Sequence, residues 1–369
     1  MTVNNKIKVL VVDDSAFMRK TLTFMLESAG DIEVVATAKD GLEGYDLIKK
    51  FQPDIVTLDF EMPKMNGLET LEKIMADCPL PVLMVSSYTT EGAEVTIKAL
   101  SLGAADFLHK EPSNISTGIM KIKDELIEKV RSIYKQTSIA TRLKRISSIV
   151  VGEEKRQTQI TKSKVWVLKF DIKAILIGIS TGGPLSLQKV IPHLYAHLPV
   201  PVIVVQHMPP MFTNSLAERL NKLSEVTVKE ASDADILQPA KVYFAPGGKH
   251  LFVNQTAGKV TIKISENPDN TLYRPCVDVS LNSMIDVYGK SVLPIIMTGM
   301  GKDGLEAVRR LKQLGGFVIA QDEESSVVYG MPRAIVDNDL ADLVLPLDKI
   351  AFQINNIFNR ELAYAGNVV

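Results

Sequence analysis

Short runs of β-branched and aliphatic residues alternate with amphipathic stretches along most of this chain, an alternation that confines it to βα units wound around parallel sheets. A parallel strand buried on both faces reads as an unbroken apolar run. The N-terminal part supplies five such strands, at 7–12, 34–38, 55–58, 82–85 and 106–108. After Ser15, a suitable N-cap, the apolar residues Phe17, Met18, Leu22, Met25, Leu26 and Ala29 fall at helical spacing and predict a helix with one buried face. Alternation resumes after Lys173, with strands expected at 174–178, 201–206, 241–244, 293–297, 317–320 and 342–345. Between the third and fourth of these, 251–253 and 259–264 flank a polar turn and predict an antiparallel hairpin.

The two α/β stretches need two cores, and a length of 369 residues agrees with two domains of about 100–200 residues each. We expect a domain over 1–135, a connector over 136–171 and a second domain over 172–369. The connector is basic: over 142–164, Arg142, Lys144, Arg145, Lys155, Arg156, Lys162 and Lys164 face only Glu153 and Glu154, and no aromatic residue interrupts them before Trp166. That composition suits a solvated linker better than a nucleic-acid arm. Across the chain 42 basic residues balance 43 acidic ones, so no global field favours nucleic acid. No apolar run approaches the roughly 20 residues of a membrane span, and the polar start, Met1 to Lys6, lacks the apolar stretch of an export signal. The expectation is a cytoplasmic protein without membrane insertion. Cys78 and Cys276 are too few for a disulfide framework or a metal set and read as idle thiols.

Where the strands end, chemistry collects. Asp13 and Asp14 follow the first strand and Asp59 the third, so a parallel sheet brings three carboxylates to its carboxyl edge. Clustered hard oxygens repel one another unless a cation sits among them, and Mg²⁺ suits such a site because it takes few carboxylates and bridges to phosphate. Ser86 ends the fourth strand and Lys110 lies beyond the fifth, offering a hydroxyl and an ammonium to phosphoryl oxygens.

In the second half Gly178-Ile179-Ser180-Thr181-Gly182-Gly183-Pro184 runs from a strand into a helix, the setting in which a sharp turn exposes a serine hydroxyl. Serine needs a base to become a nucleophile. Among His109, His193, His197, His207 and His250, only His207 directly follows a strong strand and so reaches the edge where Ser180 lies; His250, in a Gly-rich segment, is its rival. Asp303, in Thr298-Gly299-Met300-Gly301-Lys302-Asp303-Gly304, follows another buried strand and could orient the base. Amides near Met300 could donate to an oxyanion. Read alone, GISTGGP also fits a phosphate-cradling loop, although no Walker lysine follows it.

The strings VVDDS, TLDFEMPKMNG, MVSS and DFLHK resemble the response-regulator receiver domain, a flavodoxin-like five-stranded fold. That resemblance implies that Asp59 is the phosphoacceptor, that Asp13, Asp14, Asp59 and the Glu61 carbonyl hold Mg²⁺, and that Ser86 and Phe107 form a switch pair with Lys110 beside them. Glu111 stands between Lys110 and Pro112, where the family has proline directly after the lysine. The strings IGISTGGP, VVQHMPPMFT, VYFAPGGKHL, MTGMGKDG and IAQDEESSVVYGMPRA resemble the CheB methylesterase domain, a Rossmann-like, mainly parallel sheet. This second resemblance implies a triad of Ser180, His207 and Asp303 and an oxyanion contribution from Met300; Thr181 beside the serine is a candidate either to contact the substrate or to support the residues that do. It further implies hydrolysis of glutamyl methyl esters on chemoreceptors, possible deamidation of receptor glutamines, no cofactor for the esterase, a histidine kinase as phosphodonor, and inhibition by the receiver until it is phosphorylated. A DNA-binding output domain is the contrasting expectation, and the absence of a helix-turn-helix pattern disfavours it.

Overall fold

The computed structural model describes residues 6–87, 90–110, 122–135 and 171–358, with backbone only at 86–87, 90–92 and 110. Two compact units divide the chain, 1–157 and 158–369. Apart from Asp171, the expected connector lies outside the described residues, as does Glu111. Among the described residues no helix is long and apolar enough to cross a membrane.

The first unit carries strands β1 (Ile7–Val12), β2 (Ile32–Ala38), β3 (Ile55–Asp59), β4 (Val82–Ser87) and β5 (Asp106–Lys110) in one sheet of order β2-β1-β3-β4-β5. Every pairing is parallel, so this doubly wound sheet is the one read from the sequence. Helices α1 (Ala16–Glu27), α2 (Gly41–Phe51), α3 (Gly67–Asp77) and α4 (Thr90–Ser101) alternate with the strands, and α5 spans 122–135. Ser15, Asp40 and Asn66 cap α1 to α3, Asn66 in a reciprocal capping box with Glu69. Strand order reverses between β1 and β3, which makes the carboxyl ends of these two strands the crevice of the domain.

One expectation for α1 fails. Leu22, Met25 and Leu26 are buried in it, but Phe17 is 75% exposed, as is Phe24 one heptad later. Both rings lie on the outward side of the helix, because the stripe that meets β1 and β2 runs through Met18, Leu22, Met25 and Leu26. Ala29 lies past the helix end, packed against the same core.

The second unit holds a seven-stranded parallel sheet, β14-β13-β12-β6-β7-β9-β8. Its members are β6 (Ala174–Ile179), β7 (Val202–Gln206), β8 (Thr227–Glu230), β9 (Lys241–Phe244), β12 (Val292–Ile296), β13 (Ile319–Gln321) and β14 (Leu343–Leu345). The expected hairpin is present as a separate ribbon, β10 (His250–Thr256) against β11 (Lys259–Ser265). Six helices complete the unit: α6 (Gly183–Val190), α7 (Phe212–Leu223), α8 (Val277–Tyr288), α9 (Leu305–Gln313), α10 (Met331–Val336) and α11 (Leu347–Phe358). Edge strand β8 was not foreseen; only Val228 in it is fully buried, so it leaves no apolar run to read. β6 is the first strand laid down and has β7 on one side and β12 on the other, so its carboxyl end is the switch point of this sheet.

Candidate active site

At the switch point of the first unit, Asp13, Asp14 and Asp59 each offer a carboxylate oxygen within 4.8 Å of the others. Asp13 and Asp59 are buried, whereas Asp14 is exposed. Backbone amides orient the buried pair, Ser15 N–H donating to Asp13 at 2.9 Å and Phe60 N–H to Asp59 at 2.8 Å. Arg19 draws the chain past the site by donating to the carbonyls of Asp13 and Asp14 at 2.7 and 2.9 Å. The donor set is all hard oxygen, converging and partly shielded, which fits Mg²⁺. Glu61 is exposed just beyond β3, and the main chain of Ser86 pairs with that of His109 on β5. Phe107, buried on β5, follows Asp106, whose carboxylate meets Lys129 of α5 at 2.7 Å in a buried ion pair.

In the second unit, parallel pairing sets Ile179 opposite Gln206, and His207 N–H donates to the Ile179 carbonyl at 3.1 Å. Ser180 and His207 therefore leave adjacent strands at the same level, about 4.8 Å apart along the hydrogen-bonding direction. His207 Nε2 lies 2.7 Å from Asp303 Oδ2, with both side chains only 6% exposed. A carboxylate accepts, so Nε2 carries a proton, and in the neutral form of the ring the lone pair is on Nδ1. Nδ1 is buried and finds no hydrogen-bond partner among the described residues. The His207 ring is thus fixed through one nitrogen, while the other has no hydrogen-bond partner among the described residues.

Asp303 sits just ahead of α9 and is held from a second direction. Oδ2 also accepts from Val277 N–H at 2.7 Å, and Oδ1 accepts from Asp278 N–H at 3.0 Å and from the Cys276 thiol at 3.2 Å. These groups begin α8, so the positive end of that helix faces the carboxylate. Burial works against the charge of Asp303, but the hydrogen bond and charge of His207 and the α8 amides overcome it, and the carboxyl falls to about 2. The Cys276 thiol moves the other way, pushed up to about 12 by burial and by the neighbouring carboxylate. It is a neutral donor here.

The serine turn is built by close packing. Gly182 has φ +75°, and a Cβ there would lie 2.3 Å from Val327, so neither its conformation nor its surroundings admit a side chain. On the facing loop, a Cβ on Gly299 would come 2.7 Å from the Ser180 Cβ. Met300, half-buried, follows directly, which brings the Met300 turn against the serine. Thr181 is buried, and its carbonyl accepts from Thr298 Oγ1 at 3.0 Å. A Cβ on Gly178 would lie 2.8 Å from Val277 and one on Gly183 1.9 Å from Gln206 Oε1, so close packing alone calls for all three glycines of GISTGGP.

The rival histidine has its Nε2 engaged elsewhere, while its buried Nδ1, like that of His207, has no hydrogen-bond partner among the described residues. His250 is fully buried at the start of β10, with Nε2 3.1 Å from both the Pro268 carbonyl and Thr271 Oγ1. Its burial lowers its basicity. Three contributors escaped the sequence reading. Gln206 donates through Nε2 to the carbonyls of Ser180 and His207, at 2.9 and 3.2 Å; Cys276 and Tyr273 lie in a segment without periodicity. The adjacency of Gln206 to His207 at a strand end was the one available signal.

Comparison with known proteins gives the same two-part division. Residues 9–119 match the response regulator receiver domain family and residues 175–354 the CheB methylesterase family. A protein-glutamate methylesterase/protein-glutamine glutaminase 1 of Oleidesulfovibrio alaskensis is 45% identical over 367 residues, 95% of this chain and 99% of that protein. Its counterpart in Pyrococcus horikoshii is 42% identical, covering 94% and 92%. Among solved structures, the Thermotoga maritima CheB methylesterase catalytic domain is 44% identical over 51% of this chain and all of that one, with a TM-score of 0.49.

Proposed function

Since the chain belongs to the CheB methylesterase family and carries a receiver domain ahead of its catalytic part, we propose that it is a serine hydrolase of receptor glutamyl methyl esters, restrained by its receiver until Asp59 is phosphorylated. The observation that carries this reading is the 2.7 Å contact of His207 Nε2 with Asp303, on a strand end paired with the one that carries Ser180, with Nδ1 buried and without a partner among the described residues.

In the first half-reaction Ser180 Oγ attacks the ester carbonyl carbon while His207 Nδ1 takes the hydroxyl proton. Asp303, ionised at any working pH, stabilises the imidazolium and holds its tautomer. Negative charge developing on the carbonyl oxygen falls to main-chain donors of the Met300 turn, with Thr181 on the substrate side. The tetrahedral intermediate collapses, His207 returns the proton to the departing oxygen, and methanol leaves. Water, deprotonated by the same nitrogen, then releases the glutamate. A glutamine substrate follows the same course with ammonia as the leaving group, the second activity in the names of the relatives. The ester chemistry requires no cofactor.

For the receiver, Asp13, Asp14, Asp59 and the Glu61 carbonyl are the groups that would hold Mg²⁺, whose charge offsets that of an incoming phosphoryl group. A histidine kinase supplies the phosphoryl group to Asp59, and Ser86, Lys110 and Phe107 carry the change outward. The setting is the cytoplasm, where the signalling helices of chemoreceptors lie, and neither nucleic acid nor membrane insertion enters the reading. Methanol release from methylated receptor fragments, measured with and without a small-molecule phosphodonor, tests both parts. Equal rates in the two conditions would remove the regulatory half, and no methanol in either would remove the enzymatic one.

A further inference from the structure

Between β11 and α8 the chain lays an aromatic ring on the base. Tyr273 is stacked on His207, ring centroids 4.1 Å apart and planes 12° from parallel. The segment that carries it is fastened on both sides of the ring. His250 Nε2 reaches Pro268 and Thr271, Arg274 donates to the Asp269 carbonyl at 3.0 Å, and Gly248 N–H donates to the Arg274 carbonyl at 3.0 Å. A Cβ on Gly301 would lie 3.4 Å from the Tyr273 hydroxyl, so the ring extends from the imidazole to the Met300 turn. Leu272, its neighbour, is 74% exposed, which places this strap at the surface rather than in the core.

An imidazole turns about its Cβ–Cγ bond in a broad, shallow well, so its own torsion does not fix the ring. Asp303 restrains one nitrogen, but rotation about that contact still swings Nδ1 away from Ser180. A parallel ring 4.1 Å away closes that freedom, and its π-face also attracts the positive charge that the imidazole gains during the reaction. We propose that Tyr273 is a positioning residue for the base, holding the His207 plane so that Nε2 stays on Asp303 while Nδ1 stays on the serine. This rests on the assignment of His207 as base. Because the charged imidazolium exists only once reaction has begun, the contribution falls on kcat and not on KM.

The test compares the full-length phosphorylated chain with Tyr273→Phe, Tyr273→Leu and His207→Gln, using methanol release from a methylated receptor fragment. Tyr273→Leu should lower kcat about tenfold with KM nearly unchanged, and Tyr273→Phe should restore the rate. Wild-type kcat in Tyr273→Leu, or an equal loss in Tyr273→Phe, overturns the stacking role. Activity retained in His207→Gln overturns the base assignment itself, and the proposal with it. NMR gives a readout without turnover: ring-current shifts of the His207 ring protons should be present in wild type and Tyr273→Phe and absent in Tyr273→Leu. Unshifted protons in the wild type overturn the stack.

Discussion

Val277 N–H meets the Asp303 carboxylate at 2.7 Å, a distance equal to that of His207 from the same oxygen. The start of α8 is thereby coupled to the ionisation of the carboxylate that holds His207. Asp303 has its carboxyl lowered from 3.8 to about 2, so the folded state binds its proton less readily than the unfolded chain. The corresponding stability is fully present above pH 3.8 and is lost as pH falls through about 2. We expect denaturant-unfolding profiles of wild type and Asp303→Asn to converge between pH 4 and pH 2, the wild type being the more stable at the upper end. Parallel profiles would show that the carboxylate contributes no such linkage.

Rates should separate the three assigned side chains. On the proposed mechanism Ser180→Ala removes the nucleophile and His207→Ala the base, and each is expected to reduce kcat by about 10⁶-fold without unfolding the protein. Asp303→Asn should cost about 10⁴-fold, because the carboxylate orients and stabilises but does not itself react. His250→Ala should fall less than His207→Ala, since Nε2 of His250 is committed to the strap. The reverse order between the two histidines would exchange their roles.

How far the sequence could be read follows from where the information lies. Ser180, His207 and Asp303 stand next to buried strands or tight Gly turns, so periodicity alone carries them to one sheet edge. Asp13 and Asp59 were legible for the same reason. Tyr273 and Cys276 were not: they lie on an irregular strap whose path is set by His250 and Gly248, contacts between residues more than 17 positions apart. Gln206 looked like the last residue of a strand, because a side chain that bonds two carbonyls has no pattern of its own. β8 lacks an apolar run, and Phe17 matched helical spacing while facing outward.

Gln206 tests whether the two reacting loops need a tie. It is 1% exposed and bonds the Ser180 and His207 carbonyls from one amide nitrogen. In Gln206→Met, which keeps length but removes the donor, both contacts are lost in a buried setting at a cost of about 1–3 kcal/mol. Urea unfolding should show that loss, and kcat should fall at least about tenfold as Ser180 and His207 shift apart. Unaltered kcat in a destabilised variant would mean that the tie serves folding alone.

The regulatory reading makes the strongest demand. Phosphorylation of Asp59 replaces a carboxylate by an acyl phosphate of about −2 charge, a net gain of about one negative charge beside carboxylates that already lie within 4.8 Å of one another, so the receiver must rearrange around it or bind a cation more tightly. A modification shifts an equilibrium only by the difference in its free energy between the two states. Tenfold activation of a scarce uninhibited form requires about 1.4 kcal/mol, well within what new charge-assisted hydrogen bonds to phosphoryl oxygens supply. Asp59→Asn should therefore show no stimulation by a phosphodonor. Removing residues 1–157, the whole first unit, should raise the rate of the remainder with no phosphodonor present. If that fragment is folded and yet no faster than the unphosphorylated full-length chain, the receiver does not inhibit, and phosphorylation must act by direct stimulation or by recruiting the enzyme to its receptor.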